Sequence, residues 1–358
     1  MNPQLAHVRE RGTNAVLSAA KFLLGLSSYI GGKPLIRCSG FWIDWDDESK
    51  TGTIFTTAHL IRSNNSEFDV WLGQDEYDPN AKVMVHLLDD TAVEAHLLYY
   101  QVHYDIALFR ARVDSPVQFP SFNDRVQYAQ EVFLLGRAEN LDLRITYGRV
   151  EYLNPDVFQR YHFMFSSKTD ANQYDDGGLV IDLDGKVVGM VNITSQGSFI
   201  PCSILLKCLD LWRKYGHITR PHLGFKFFAI KFLDPLYIEK IWRKYNIDDG
   251  LIVNEVADGS NGEMLGIRRG DIISCFNGEQ ISTTVELENL LLDICKDFDR
   301  TNQPSAEVDV VIKVFNIRKS RWRELHLTTN ISEHGEVVAR ESYSSFHFGI
   351  KDFSFGGT

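Results

Sequence analysis

Cysteine is scarce in this 358-residue sequence, and what its cysteines lack excludes several kinds of site. There are five, an odd number, with neither a Cys-x-x-Cys pair nor a His/Cys spacing typical of zinc sites. We therefore expect free, mostly buried thiols in a reducing intracellular compartment (cytoplasm or nucleus, with an organelle as the alternative). We also expect no metal and no cofactor. The cysteines are Cys38, Cys202, Cys208, Cys275 and Cys295.

Long hydrophobic runs are also lacking, so the sequence predicts no membrane span. The first segment comes nearest to a signal peptide, because Arg9 and Arg11 precede an apolar stretch. Lys21 interrupts that stretch, and no clean small-residue cleavage site follows. We expect an amphipathic helix packed on the domain that follows, with an organelle-targeting segment as the alternative.

Positive charge is in deficit as well: the sequence has 37 Lys and Arg but 48 Asp and Glu, which gives a net charge of -11. This balance argues against a nucleic-acid partner, which needs clustered basic residues. One run departs from it: Arg318 is followed by Lys319, Arg321 and Arg323, which alternate along a strand-like segment. We interpret the run as a solvated strand face, with a local basic patch as the alternative.

The chain does contain ample apolar residues (44%), and its length predicts two or more domains with sizeable cores. One stretch organises the rest: in residues 169–180, two aspartates run into paired glycines and then into a strand-like segment. Paired glycines let a backbone approach other groups closely or take angles that other residues avoid. The four residues are Asp175, Asp176, Gly177 and Gly178.

Two upstream segments complete a pattern. Residues 54–61 contain an Ala-His step at His59, and residues 103–109 contain an Asp-Ile-Ala-Leu segment at Asp105. The order of histidine, aspartate and glycine-framed turn is that of chymotrypsin-like proteases. Together with Asp-Gly-Lys-Val-Val-Gly at 184–189, these segments resemble the Deg/HtrA family over most of the chain.

This resemblance implies a mostly β fold, a chymotrypsin-like double β-barrel followed by a PDZ domain. Strand-like runs such as 70–72, 83–87 and 92–97 agree with it, and helices are few. The implied divisions are an N-terminal helical segment (1–33), a trypsin-like domain (34–216), a PDZ domain (217–331) and a C-terminal tail (332–358). We expect the tail to be mobile, with ordered packing of its aromatic residues as the alternative.

The resemblance also assigns the site residues. His59 takes the place of the general base and Asp105 that of the orienting acid, whereas Asp176 stands where the family has its nucleophilic serine. A carboxylate there favours imidazolium, and it places negative charge where the tetrahedral intermediate must build its own. We therefore predict a degenerate triad in which the carboxylates raise the pKa of His59. The oxyanion-hole region falls on Asp175, Gly177 and Gly178.

Other departures agree with lost catalysis. Tyr174 replaces the family's glycine, Leu179 replaces its proline, and the run from Asp170 to Asp176 is shorter than usual. Restoring the serine alone is therefore not expected to restore activity. Two alternatives remain, a divalent metal held by the triad positions and a displaced nucleophile. The serines considered for the latter are Ser166, Ser167, Ser195 and Ser198.

The C-terminal half resembles a PDZ domain. Its carboxylate-binding loop would be formed by His222, Leu223, Gly224 and Phe225, where backbone N–H groups capture a peptide's terminal carboxylate. The Arg-Gly-Asp-Ile-Ile run at 269–273 and the Asn-Gly pair at 277–278 match the PDZ hairpin pattern. Apolar spacing predicts a helix over residues 283–296 that walls the peptide groove.

The sequence thus predicts a non-catalytic Deg/HtrA-like homologue that binds peptides or protein C-termini, as a scaffold or chaperone-like partner. The alternative is an active serine-type endopeptidase with an unconventional nucleophile. The resemblance further implies a homotrimer assembled through the protease domains.

Overall fold

The computed structural model describes residues 6–63, 76–154, 161–167, 172–192, 197–296 and 306–335. Within these ranges the chain forms two compact units. The first comprises residues up to 220 together with 288–302 and 333–335; the second comprises 221–287 and 303–332. The predicted strand at 70–72, Ser195 and most of the tail (336–358) lie outside the described residues.

Six strands close the first barrel, in the order β1-β2-β3-β6-β5-β4. Ile54 and Phe55 of β3 point to opposite faces of the strand, and both are fully buried. Phe41 meets Phe55 edge to face, with ring centroids 5.7 Å apart. The strands are β1 (Leu23–Ile30), β2 (Lys33–Asp46), β3 (Thr51–Thr57), β4 (Lys82–His86), β5 (Ala92–Gln101) and β6 (Ile106–Arg112).

The N-terminal segment differs from the prediction of a helical stretch over residues 1–33. Helix α1 (Ala6–Ala19) ends well before that limit, and the residues after it form β1 and the start of β2. Leu26 pairs with Cys38 of β2 and with Val85 of β4. Because β1 has a neighbour on each side and buries its leucines, tertiary packing favours a strand over local helical spacing.

A second six-stranded sheet follows, in the order β8-β7-β10-β11-β12-β9. Its two ends are joined, since Glu151 N donates to Phe165 O at 2.8 Å and Ser167 N donates to Arg149 O at 2.9 Å. The sheet therefore closes, and the predicted chymotrypsin-like double barrel is confirmed. The elements are β7 (Glu131–Arg137), β8 (Leu143–Arg149), β9 (Met164–Phe165), β10 (Leu179–Ile181), β11 (Val187–Val191), β12 (Ser198–Pro201) and helix α2 (Cys202–Tyr215).

The remaining strands form one sheet in the order β13-β19-β18-β16-β15-β14, with β17 paired to β16. They are β13 (Arg220–His222), β14 (Phe225–Ala229), β15 (Leu251–Val256), β16 (Ile272–Phe276), β17 (Glu279–Gln280), β18 (Ala306–Asn316) and β19 (Arg321–Ser332). Asn277 and Gly278 both have positive φ, 48° and 87°, as a tight hairpin turn between β16 and β17 requires. The expected Asn-Gly turn is confirmed.

Two helices belong to the second unit, α3 (Pro235–Tyr245) and α4 (Asn261–Met264), whereas α5 (Thr284–Cys295) begins in the second unit and ends in the first. Helix α5 covers the run predicted from apolar spacing. Helix α3 was not predicted, although Asp234 caps it by accepting from Leu236 N at 2.8 Å and Pro235 occupies its first turn. No helix among the described residues is long and apolar enough to cross a membrane.

Candidate functional site

His59 follows the end of β3, in a short 3-10 helix that spans Ala58–Ile61. Thr57 caps this helix, because its Oγ1 accepts a hydrogen bond from His59 N at 3.1 Å. The same hydroxyl donates to Asp105 Oδ2 at 2.6 Å. One buried side chain therefore connects the backbone of the histidine to the carboxylate of the predicted orienting acid.

Asp105 closes the turn of residues 102–105 with a φ of 51°, in the left-handed region that few non-glycine residues adopt. Its carboxylate is buried and also accepts a hydrogen bond from Asn192 Nδ2 at 2.6 Å. Its carbonyl accepts from Ala58 N at 3.1 Å. These contacts fix the strained residue against the histidine segment, which is where such conformations persist in proteins.

Asp176 follows the 3-10 turn Gln173–Asp175 and precedes the paired glycines. Gly177 has a φ of 72°, and a Cβ there would lie 2.4 Å from Ser39 O. At Gly178 a Cβ would lie 2.1 Å from Leu135 O. Both positions therefore require glycine, so that the turn can approach the two barrels this closely.

The structure brings Asp176 to the histidine. Asp176 Oδ2 lies 3.3 Å from His59 Nδ1, and the two side chains are 6% and 28% exposed. Burial lowers the pKa of His59, but the hydrogen bond and charge of Asp176, with a further contribution from Asp105, outweigh it and leave the pKa raised. The arrangement favours an imidazolium ion held by carboxylates, in the direction that the sequence predicts.

Three backbone N–H groups of the turn donate to groups within the protein. Asp176 N donates to Gln173 O at 3.3 Å, Gly177 N to Val191 O at 2.9 Å, and Gly178 N to Asp175 O at 2.9 Å. Tyr174 O accepts from Ser39 Oγ at 2.6 Å, which fixes the orientation of that peptide group. An oxyanion hole needs such donors to point at the reacting atom, and here they point at carbonyl oxygens of the chain itself.

Asp175 takes a different role from its neighbour. Arg144 Nε donates to its Oδ1 at 2.8 Å, and Arg144 Nη2 to its Oδ2 at 3.3 Å. Asn172 N donates to Oδ2 at 2.9 Å, which completes a cap on the 3-10 turn. Asp175 therefore anchors the turn to β8, while Asp176 faces the imidazole.

Several of these contacts were not predicted from the sequence. Asn192 and Arg144 are far along the chain from the acids that they bind, and no local motif marks them. Ser39 also accepts from Arg137 N at 2.8 Å. Thr57 had a local signal, because it stands just before the Ala-His step.

A thiol also lies in this region. Cys38 Sγ is 3.4 Å from Ser39 O and 3.6 Å from Thr56 Oγ1. Burial, reinforced by the negative charge of Asp176, raises the pKa of this thiol. Because the thiolate is the reactive form, Cys38 is a poor nucleophile in this setting.

The serines considered as displaced nucleophiles have structural contacts. Ser167 Oγ accepts from Arg149 N at 3.0 Å, and Ser198 Oγ donates to Asn192 O. Ser166 is 2% exposed and bridges to Val150 in the second barrel. Burial within a strand ladder suits a serine that packs rather than one that attacks a substrate.

The second predicted site lies in the other unit, in the loop between β13 and β14. Gly224 has a φ of 74°, and a Cβ there would lie 2.9 Å from Ser260 Cβ. Its carbonyl accepts from Ala257 N at 2.8 Å. His222 Nε2 lies 3.2 Å from Ser332 Oγ, and Leu223 and Phe225 are buried.

A buried cluster in the first unit has the residue types of a metal site. The ligand atoms of His103, His162 and Glu288 lie within 4.8 Å of one another. The carboxylate of Glu288, however, accepts from Arg220 Nε at 2.8 Å, Arg220 Nη2 at 3.2 Å and Tyr104 OH at 2.5 Å. Burial raises the pKa of Glu288, yet Arg220 and the histidines outweigh it and leave it well lowered. The guanidinium of Arg220 thus occupies the position beside the carboxylate that a metal ion would take.

Comparison with known proteins adds to this geometry. Residues 38–190 match the family model described as a trypsin-like peptidase domain. The chain is 24% identical to the "Serine protease Do-like HtrA" of Bacillus subtilis (78% of this chain, 63% of the relative). It is 25% identical to a "Probable periplasmic serine endoprotease DegP-like" of Marinomonas (84% and 62%). The chain therefore spans about three fifths of the length of these relatives.

Solved structures share the fold. The "HtrA-type protease AlgW with tripeptide" aligns over 89% of this chain and 96% of its own, at 17% identity and a TM-score of 0.55. A serine endoprotease from Yersinia pestis aligns over 89% and 97%, at 18% identity and a TM-score of 0.51. The curated matches show a likeness to Do-like and HtrA proteases, the group that the sequence motifs resemble, and the solved structures show a shared fold.

The same comparison shows that the predicted reducing intracellular compartment was wrong. Relatives from Marinomonas, Hahella and Rickettsia are named as probable periplasmic endoproteases. The error came from treating free cysteines as a marker of compartment. Burial raises the pKa of Cys202 to about 12 and that of Cys208 well above its ordinary value. Buried, protonated thiols react slowly and need no reducing surroundings.

Proposed function

We propose that this chain, similar to the Deg/HtrA serine proteases, is a non-catalytic protease homologue that binds peptides or protein C-termini. One observation carries the proposal: Asp176 Oδ2 stands 3.3 Å from His59 Nδ1, at the position that the resemblance assigns to the nucleophile. A carboxylate there has no proton for the imidazole to take. Its charge also opposes the oxyanion of a tetrahedral intermediate.

The size of the effect is large. Removing the nucleophile of a working serine protease lowers kcat by about 2 × 10⁶. The turn adds a second obstacle, because Asp176 N already donates to Gln173 O. Both obstacles support a site that retains the shape of a protease without its reaction.

Hydrolysis tests this part of the proposal. Purified full-length chain is incubated with casein and with a fluorogenic peptide library, beside a His59→Ala variant. A fluorophosphonate probe reports any activated serine. We expect no labelling and no turnover that depends on His59. Hydrolysis abolished by His59→Ala would instead establish the rival function, an endopeptidase with an unconventional nucleophile.

Peptide binding is proposed for the loop of residues 222–225, which we assign to a PDZ domain. The left-handed Gly224, in the loop just before β14, supports this assignment, because such loops present backbone N–H groups to a carboxylate. β14 is also the last strand in the order of the described sheet. An extended peptide binds a PDZ domain by adding a strand at such a sheet edge.

A matched pair of glycine variants tests the binding. Gly224→Ala and Gly259→Ala both force alanine into a left-handed conformation, at φ values of 74° and 72°. Only the first places a methyl group against Ser260, since nothing lies within 4 Å of the second. We expect Gly224→Ala to weaken binding of a selected C-terminal peptide roughly tenfold and Gly259→Ala to leave it nearly unchanged. A C-terminal library that yields no ligand, or a ligand indifferent to Gly224→Ala, would contradict the assignment. The implied homotrimer stays a prediction for analytical ultracentrifugation.

A further inference from the structure

We propose that the second unit docks on anionic lipid surfaces through a basic and aromatic face formed by helix α3 and the end of the β18–β19 hairpin. This function is separate from peptide binding. The face, called the basic-aromatic face below, is formed by Trp242, Arg243, Lys244, Lys313, Arg318, Lys319 and Trp322.

The helix and the hairpin form one surface because aromatic rings connect them. Ile241 of α3 is buried in the same apolar cluster as Phe315 of β18. The ring of Tyr245 lies 5.5 Å from that of Phe315, which in turn lies 5.2 Å from the ring of Trp322. The last turn of α3 therefore lies beside the end of the hairpin.

Two large aromatic side chains on this face are open to solvent. Trp242 is 52% exposed and Trp322 is 41% exposed. Two lysine ammonium groups lie over aromatic rings here. Lys244 Nζ is 5.1 Å from the ring centroid of the neighbouring Tyr245, and Lys313 Nζ is 5.3 Å from that of Trp322. Exposed tryptophan beside cations is the arrangement that suits the headgroup region of a membrane.

The charge of this face is opposite to that of the whole chain, which is -11. Five of the seven residues of this face are Lys or Arg, and one of them, Arg243, lies 3.6 Å from Glu239. Arg318 and Lys319 are exposed in the hairpin turn. Clusters of four to eight basic residues are attracted to anionic lipid, so a basic face on an acidic protein gives it a defined orientation at such a surface.

Lipid fits this face better than nucleic acid. Bases of single strands bind by stacking on open aromatic faces. The ring of Trp322 meets Phe315 edge to face and has the Lys313 ammonium over it, so stacking on that side is blocked. Trp242 lies on helix α3 and is exposed. Entry of its ring into a lipid interface requires no stacking partner.

Vesicle flotation tests the proposal with the full chain. We expect it to float with vesicles of phosphatidylserine in phosphatidylcholine, to stay behind with phosphatidylcholine alone, and to be released as salt is raised. Arg318→Glu with Lys319→Glu should weaken binding by at least ~25-fold, because each basic residue near an anionic surface contributes about fivefold. The control, Lys33→Glu with Arg269→Glu, changes net charge equally at exposed sites elsewhere and should bind within about twofold of the unaltered chain.

A second variant tests the aromatic contribution. Lipids brominated in the acyl chains should quench part of the tryptophan fluorescence, and Trp242→Ser should reduce both the quenching and the binding while thermal unfolding stays unchanged. Equal flotation with neutral vesicles would overturn the proposal, as would equal losses in the two charge variants. Competition by soluble phosphoserine would indicate a site for free headgroups, and tighter binding to an oligonucleotide would indicate nucleic acid; either result would overturn it too.

Discussion

Two clusters of acidic and basic side chains meet at the turn of residues 102–105, and they differ in burial and in hydrogen bonding. On one side, Tyr104 joins the fully buried pair of Arg220 and Glu288. On the other side, Asp105 supports the site where Asp176 faces a partly exposed His59. Arg220 Nε and Nη2 both donate to the carboxylate of Glu288, whereas the site keeps a partly exposed imidazole. The difference agrees with a structural role for the first cluster and with the proposal that the second is a protease site without its reaction.

The largest expected effect is in the buried cluster. Glu288→Gln leaves the guanidinium of Arg220 buried without its counter-charge, so we expect the free energy of unfolding to fall by about 3–5 kcal/mol in urea titrations. The pKa of Glu288 is lowered in the folded state, so its stabilisation is present above the unfolded pKa and is lost as pH falls through the folded one.

Two controls sharpen this prediction. Asp293→Asn removes a carboxylate that is 41% exposed and paired with Lys207, and it should cost less than about 1 kcal/mol. Replacing the buried pair together, as Arg220→Met with Glu288→Leu, should be much milder than Glu288→Gln because no charge is left alone. A Glu288→Gln variant as stable as Asp293→Asn would show that the two clusters do not differ in the way described.

The glycine pair should give the next largest effect. Gly177→Ala combines a left-handed conformation with a methyl group 2.4 Å from Ser39 O, so we expect a loss of roughly 2–4 kcal/mol in unfolding free energy. Gly32→Ala has a similar φ of 79° with nothing within 4 Å, and it should lose only about 1 kcal/mol. Equal losses would mean that the turn does not need its close approach to the first barrel.

A smaller effect concerns the protonation of His59. Asp176→Asn removes the carboxylate whose hydrogen bond and charge raise the pKa of the imidazole, so NMR titration should show a lower pKa. Because the folded pKa is raised, its stabilisation is full below the unfolded pKa and fades as pH rises through the folded one. The stability difference between the two proteins should therefore be larger in mild acid and shrink as the solution becomes alkaline. An unchanged or higher pKa in Asp176→Asn would contradict the pairing.

Local patterns predicted much of this molecule, and long-range contacts account for the rest. The Asn-Gly turn and helix α5 follow from turn chemistry and apolar spacing that a short window of sequence contains, whereas the double barrel is what the resemblance to the Deg/HtrA family implies. β1 was misassigned because its strand partners, such as Val85, lie far along the chain. The ion pairs could not be predicted for the same reason, since Arg220 and Glu288 are 68 residues apart. Helix α3 is a different case, because its start signal, Asp234 followed by Pro235, lies in the local sequence.

The last prediction is that restoring the hydroxyl does nothing by itself. In Asp176→Ser the imidazole regains a hydroxyl neighbour, but the N–H of residue 176 still donates to Gln173 O, and Tyr174 O remains held by Ser39. With the N–H of residue 176 engaged, a serine beside the histidine lacks one donor of the oxyanion hole, which is usually the largest electrostatic contribution to acyl transfer. We therefore expect no fluorophosphonate labelling and no peptide turnover above that of the unaltered chain. Adding Tyr174→Gly and Ser39→Ala should loosen the turn, and labelling that appears only in this triple variant would assign the block to the backbone. Activity in Asp176→Ser alone would show that the turn rearranges freely and that the missing hydroxyl was the whole defect.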